Sequence, residues 1–75
     1  MRRVGSVERL AQGLAVVRAT DAEYVDIGTS LMNDELDTVG AVVDVFGPVD
    51  APYMAVSPGT NVHLPTLVGA PLYTR

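Results

Sequence analysis

The hydrophobic positions of the chain fall in short runs rich in valine, and glycine, proline or polar residues separate these runs at short intervals. Runs of this kind predict β-strands joined by turns. A helical period can be fitted to residues 7–17, but Gly13 and the β-branched pair Val16-Val17 disfavour a helix there. We therefore predict six strands, at residues 3–10, 14–18, 29–32, 38–46, 52–56 and 67–74.

The segments between the predicted strands contain residues that favour turns. Residues 11–13 are short enough to join the first two strands as a hairpin, with Gly13 able to adopt a positive φ. Residues 33–35 carry the Asn and Asp side chains of an Asx turn, and residues 57–59 are a Ser-Pro-Gly turn. Residues 20–28 form a longer acidic loop.

The strand at residues 38–46 has the clearest pattern. Alternation by two predicts that one face carries Val39, Ala41, Val43 and Val45, and the other Gly40, Val42, Asp44 and Phe46. Gly47-Pro48 ends this strand, because proline cannot donate a hydrogen bond to a sheet. Six short strands in 75 residues cannot leave many edges open. We predict an all-β fold, a small six-stranded closed barrel that forms a single domain over residues 1–75.

The composition predicts a folded chain with an unusual set of charges. Hydrophobic residues make up 48% of the sequence, which argues against disorder. Nine acidic side chains oppose five basic ones, and all five bases are arginine. An acidic protein without lysine resembles the proteins of halophilic organisms, and we expect such an origin. No apolar run approaches the length of a membrane span or a signal-peptide core, so we expect a cytoplasmic protein.

The acidic residues concentrate at residues 21–26 and 34–37, where carboxylates repel one another at low ionic strength. Molar salt shortens the screening length to roughly 3 Å. Because a chain this small has little stability to spare, we expect its melting temperature to rise between dilute buffer and molar potassium chloride. Thermal melts followed by circular dichroism check this expectation, and a flat or falling melting temperature would contradict halophilic adaptation.

The sequence contains no recognisable catalytic, cofactor-binding or metal-binding motif. His63 is the only histidine and there is no cysteine, so a zinc site lacks its usual ligands. The acidic clusters do not follow the spacing of a calcium loop, and the glycines match no phosphate-binding motif. The arginines are scattered along the chain, so no basic face for nucleic acid is predicted. Binding or scaffolding without a cofactor is the favoured class of function.

One segment resembles a known family. Residues 39–56, VGAVVDVFGPVDAPYMAV, resemble the signature of the Gar/Naf family of box H/ACA ribonucleoprotein subunits, in which Val-Gly opens a valine-rich strand. Phe-Gly-Pro-Val and Pro-Tyr follow in the same order and spacing. Weaker similarities extend over most of the chain, at Val4-Gly5, residues 13–18, Ile27-Gly28, Val68-Gly69 and Leu72-Tyr73.

The resemblance implies a barrel similar to the second domain of translation GTPases and a role without catalysis. Such a subunit would bind the catalytic domain of the RNA-guided pseudouridine synthase and promote loading and release of substrate RNA during rRNA pseudouridylation. Guide and substrate RNA would be reached indirectly, through the complex. The catalytic aspartate would belong to the synthase, not to Asp44. Archaeal members of the family also lack glycine/arginine-rich tails, so the resemblance is to an archaeal member. The short chain favours the Gar branch over Naf.

The expected partner-binding residues lie in an apolar turn, where polar residues are usual. They are Phe46, Gly47, Pro48, Val49, Pro52 and Tyr53. Exposed apolar loop residues often mark partner sites, although Phe46 fits the barrel core equally well. The alternative function is a small barrel that binds RNA directly, and it would require a basic face.

Overall fold

The computed structural model describes residues 2–19, 25–60 and 62–74. Its elements are β1 (Arg2–Ala11), β2 (Leu14–Ala19), β3 (Ser30–Met32), β4 (Thr38–Phe46), β5 (Tyr53–Pro58), one turn of 3₁₀ helix (Leu64–Leu67) and β6 (Pro71–Thr74). The strands are antiparallel and close into a barrel in the order β1-β2-β5-β4-β3-β6, with β6 paired back to β1. The all-β, six-stranded closed barrel predicted from the sequence is confirmed.

Two of the predicted turns form as their residues dictate. Gln12 and Gly13 both adopt positive φ, at 54° and 76°, and Ala11 pairs with Leu14 across the resulting two-residue hairpin. In the β3–β4 turn the Asn33 side chain accepts hydrogen bonds from the amides of Glu35 and Asp37, at 2.9 and 3.0 Å. This is the Asx chemistry that the sequence predicts.

The barrel core consists mainly of valine side chains, and every one of the six strands contributes at least one residue to it. Leu31, Met54 and Leu72 are the largest fully buried side chains, and they belong to β3, β5 and β6. Burial of one such side chain stabilises the fold by roughly 1.5–3 kcal/mol. The alternation of β2 (Ala15 and Val17 in the core) places the intervening Val16 on the outer face.

The predicted alternation of β4 is wrong, because Val39 and Val42, predicted on opposite faces, both lie in the core and the strand contains a β-bulge beyond its midpoint. Val42 pairs with Val56 and Asp44 pairs with Ala55, so Val43 is an extra residue without a cross-strand partner on β5. The bulge turns Val43 outward, where 45% of its surface is exposed. Val42 lies in the core, and Val45 is partly buried against the core cluster.

The second half of the chain differs from the prediction in two further places. Residues 57–59 are not a turn, because β5 continues to Pro58, and Ser57 and Pro58 pair with Ala41 and Gly40. Proline is tolerated there because it lies at the last position of the strand.

The final strand is shorter than predicted, since β6 begins at Pro71 and a 3₁₀ turn precedes it. Leu67 of that turn is buried, which anchors the turn on the core. Within residues 2–19, 25–60 and 62–74 this turn is the only helix, and no helix there is long or apolar enough to cross a membrane. The acidic loop predicted at residues 20–28 lies partly outside the described residues, as do the acids at positions 21 and 23.

Candidate functional site

The predicted partner-binding residues come together where β4 turns into β5. Val49 is 93% exposed at the tip of this turn, and Phe46 is 40% exposed at the end of β4. Tyr53 is half-buried at the start of β5 and pairs directly with Phe46. We call Phe46, Gly47, Pro48, Val49 and Tyr53 the apolar corner.

An aromatic stack fixes the shape of the apolar corner. The ring centroids of Phe46 and Tyr53 lie 5.7 Å apart, with the planes inclined by 19°. Gly47 has a φ of +91°, and a Cβ atom at this position would lie 2.8 Å from Cδ2 of Tyr53. Only glycine combines this backbone conformation with the close approach of the ring. The amide of Ala51 donates to the Pro48 carbonyl at 3.3 Å and closes the turn.

Phe46 and Pro52, both predicted contact residues, differ in their exposure. Phe46 lies outside the core cluster and on the outer face, so of the two alternatives for this ring the structure shows the exposed one. Pro52 is buried, and its carbonyl accepts a hydrogen bond from the amide of Ala19 at 3.0 Å. Pro52 therefore holds the start of β5 to the end of β2 and offers no contact surface.

Two further apolar residues, which the sequence did not single out, are exposed near the apolar corner. One is Val43 in the bulge of β4. The other is Ile27, which is 64% exposed. The Gly28 amide donates to the Val42 carbonyl at 2.7 Å, and this bond places Ile27 alongside the bulge. The period-two pattern placed Val43 on one face with Val39, Ala41 and Val45, so it did not indicate that Val43 is exposed in a bulge. Nothing in the local sequence of Ile27 shows which strand its loop contacts.

Carboxylates surround these exposed apolar residues. Asp26, Asp44 and Asp50 are exposed and adjoin Ile27, Val43 and Val49 in the sequence. One oxygen of Asp44 accepts a hydrogen bond from the Val45 amide at 2.8 Å, which satisfies a backbone donor of β4. The corner and its border are thus an apolar surface with an acidic rim.

A second surface arises because strand pairing gathers arginines that are far apart in the sequence. Ser6 pairs with Arg18 across β1 and β2, and Arg9 pairs with Val16 on the same outer face. Nη2 of Arg3 donates to Oγ of Ser6 at 3.1 Å. We call Arg3, Ser6, Arg9 and Arg18 the arginine face. These three arginines are far apart in the sequence, which predicted no basic face, but the barrel places them on one outer face.

A groove lies at the opposite end of the barrel from the apolar corner. It has a volume of about 570 Å³ and is lined by residues from the β3–β4 turn, the end of β5 and the 3₁₀ turn, including Asn33, Asp37 and His63. Asn33 is already engaged within its own turn, and His63 is exposed. In the described part of the chain, no three His, Asp or Glu side chains converge well enough to hold a metal ion.

Comparison with known families agrees with the motif at residues 39–56. The model of the family described as "Gar1/Naf1 RNA binding region" matches residues 1–75. A search of curated proteins finds no match to the chain. Membership of this family fits association with the box H/ACA ribonucleoprotein, and its description refers to RNA binding rather than to a catalysed reaction. The match covers every residue of the sequence, and the chain therefore belongs to the Gar1/Naf1 family.

Proposed function

We propose that this protein is a non-catalytic subunit of the box H/ACA RNA-guided pseudouridine synthase complex and docks on the catalytic domain of the synthase through the apolar corner. The observation that carries this proposal is the exposure of three apolar side chains: Val49 in the β4–β5 turn, Phe46 at the end of β4 and Val43 in the bulge of β4. Single exposed apolar residues are common on protein surfaces, but a contiguous group of them marks an interaction site. Family membership supports the same conclusion.

The chemistry of the corner indicates what the partner surface contains. Burial of one valine or phenylalanine side chain contributes roughly 1.5–3 kcal/mol, so the apolar residues can supply much of the affinity. The acidic rim of Asp26, Asp44 and Asp50 favours a partner whose apolar patch is flanked by Lys or Arg. Rim charges of this kind mainly raise the association rate, and their contribution becomes smaller as the salt concentration rises.

In the complex, this subunit would promote loading and release of substrate RNA during rRNA pseudouridylation. It would act from the outside of the synthase, because side chains from all six strands fill the barrel interior. The catalytic aspartate belongs to the synthase in this proposal. Asp44 is exposed, and its carboxylate bonds to its own strand.

The isolated chain is expected to form no pseudouridine. Among the described residues no three His, Asp or Glu side chains converge to hold a metal ion, and in this proposal the chemistry comes from the synthase. Tritium release from uridine-labelled RNA measures the reaction. Added to synthase, guide RNA and the remaining subunits, the chain should raise the multiple-turnover rate more than the single-turnover rate. Tritium release by the chain alone would contradict the proposal.

The decisive experiment for docking is calorimetric titration of the synthase with variants of the apolar corner. Direct binding of RNA is a second candidate function, and the arginine face is the specific observation that favours it.

A further inference from the structure

We infer that the arginine face binds backbone phosphates of single-stranded RNA, with Tyr53 and Tyr73 on either side as surfaces for the bases. This inference goes beyond docking on the synthase and does not depend on it. The site combines three guanidinium groups with two tyrosines that come from four different strands.

Strand register brings the three guanidinium groups around Ser6. Arg18 lies directly opposite Ser6, at a separation that is typically about 5 Å between Cβ atoms. The hydrogen bond from Arg3 to the Ser6 hydroxyl holds the guanidinium of Arg3 back over the same point. Arg9 lies further along β1 and is opposite Val16. A phosphate above Ser6 could therefore accept hydrogen bonds from Arg3 and Arg18 together.

Within the described residues, the charges on this face have no counter-ion. Among the described residues Arg9 and Arg18 make no hydrogen bond or ion pair, and the bond of Arg3 is to a neutral hydroxyl. Glu8 is the only acid in β1 and β2. In a chain with a net charge of −4, this group of arginines with one acid between them is a local positive surface that can attract an anion. Arginine is the side chain best shaped to bind a phosphate oxygen pair.

The tyrosines adjoin the arginines by strand pairing. Tyr53 pairs with Arg18, and Tyr73 pairs with Arg3, so each tyrosine is the cross-strand neighbour of an arginine on the outer face. Both tyrosines are half-buried, and Tyr53 is supported from behind by its stack with Phe46. Val16 lies on the outer face between Arg9 and Arg18, yet it is only 4% exposed. The longer side chains beside it therefore cover it.

These features favour a single strand over a duplex. Aromatic rings that lie beside arginines can stack only on bases that are free of pairing. A duplex would present phosphates alone and would leave both tyrosines unused. Because Tyr53 belongs to both the arginine face and the apolar corner, an RNA strand on this site would run next to the docked synthase.

The test measures binding of a fluorescein-labelled ten-nucleotide oligouridylate by fluorescence anisotropy, at a salt concentration where circular dichroism shows every variant folded. Three phosphate contacts predict that log K falls with log salt with a slope of about −2, since each contact on a single strand contributes about −0.7. Arg18→Gln and Arg3→Gln are each expected to weaken binding about fivefold and to reduce the slope by about 0.7.

The matched control is Thr60→Asp, which lowers the net charge by the same amount as Arg18→Gln. Thr60 is exposed and lies just after β5, at the opposite end of the barrel from Tyr53. It is expected to change affinity less than twofold, and an unlabelled duplex or inorganic phosphate should compete poorly with the oligouridylate. Val49→Asp should retain RNA binding while losing the synthase, so the two surfaces can be tested separately.

Several results would overturn the inference. One is failure of the folded wild-type chain to bind the oligouridylate. Another is an equal loss of RNA affinity in Thr60→Asp and Arg18→Gln. A third is that an unlabelled duplex displaces the labelled oligouridylate as well as an unlabelled single strand does. Loss of synthase binding by Arg18→Gln with RNA binding intact would also overturn it, because the arginine face would then be a protein-docking surface.

Discussion

Replacement of Val49 by aspartate is expected to weaken binding to the synthase by at least about tenfold and to leave the melting temperature of the isolated chain unchanged. Truncation of a buried interface anchor typically costs about 2 kcal/mol or more, and about 1.4 kcal/mol corresponds to tenfold. Val49 is the best probe because its side chain is almost fully exposed, so a charge there meets solvent in the free protein and an apolar surface in the complex. Isothermal titration calorimetry gives the affinity.

Thr60→Asp introduces the same charge at the far end of the barrel and should bind the synthase like the wild type. Tyr53→Ala is also expected to lose at least about tenfold in affinity, but it removes the ring that supports Phe46 and covers Gly47, so its stability has to be measured alongside. If Val49→Asp and Tyr53→Ala are both folded and bind normally, the docking surface lies elsewhere. The β6 residues Leu72 and Tyr73 would then be tested, although Leu72 is fully buried and only Tyr73 is accessible.

Replacement of Gly40 by alanine is expected to destabilise the barrel by about 3 kcal/mol or more. A Cβ atom at this position would collide with the backbone carbonyl of Ser57, with the carbonyl carbon 2.9 Å away. The obstacle is backbone, so no side-chain rotation relieves it and β4 and β5 must separate. Since 75 residues give a stability of about 4–11 kcal/mol, the loss is a large part of the total. The melting temperature should fall by about 12–24 °C.

Gly59→Ala provides the matched comparison one residue beyond β5. A Cβ atom there lies 3.6 Å from the nearest atom, the Val39 carbonyl oxygen, which is an ordinary contact. Alanine at this position is expected to change the stability by less than about 1 kcal/mol, with a small gain from the lower entropy of the unfolded chain. Chemical denaturation of both variants measures the difference. Equal stability of Gly40→Ala and Gly59→Ala would show that β4 and β5 are not as close at Gly40 as the structure has them.

The parts of the fold that depend on local chemistry are predictable from the sequence. The bounds of β4 at Thr38 and Phe46, the hairpin at Gln12-Gly13 and the Asn33 turn all follow from residues within a few positions of one another. The bulge at Val43 does not, because a run of valines has no feature that marks which one is left unpaired. The error reversed the facing of every later position in β4, including Val45.

The candidate surfaces divide in the same way. The apolar corner is contiguous in the sequence, and its motif singles it out before the structure does. Ile27 and the arginine face depend on which strands become neighbours after closure, so neither spacing nor composition reveals them. Arg3, Arg9 and Arg18 look dispersed along the chain until the β1–β2 register places them around Ser6.

The barrel is closed unevenly, and this affects how it fluctuates. β3 meets β6 at a single residue pair, Met32 and Tyr73, whereas β4 and β5 share a ladder that extends from Gly40–Pro58 to Phe46–Tyr53. Local opening begins where the fewest hydrogen bonds have to break, which is the β3–β6 seam. The strands that carry the apolar corner can therefore stay paired while the seam opens and closes. A partner that binds this corner meets a surface already in its bound shape, and little conformational entropy is lost on association.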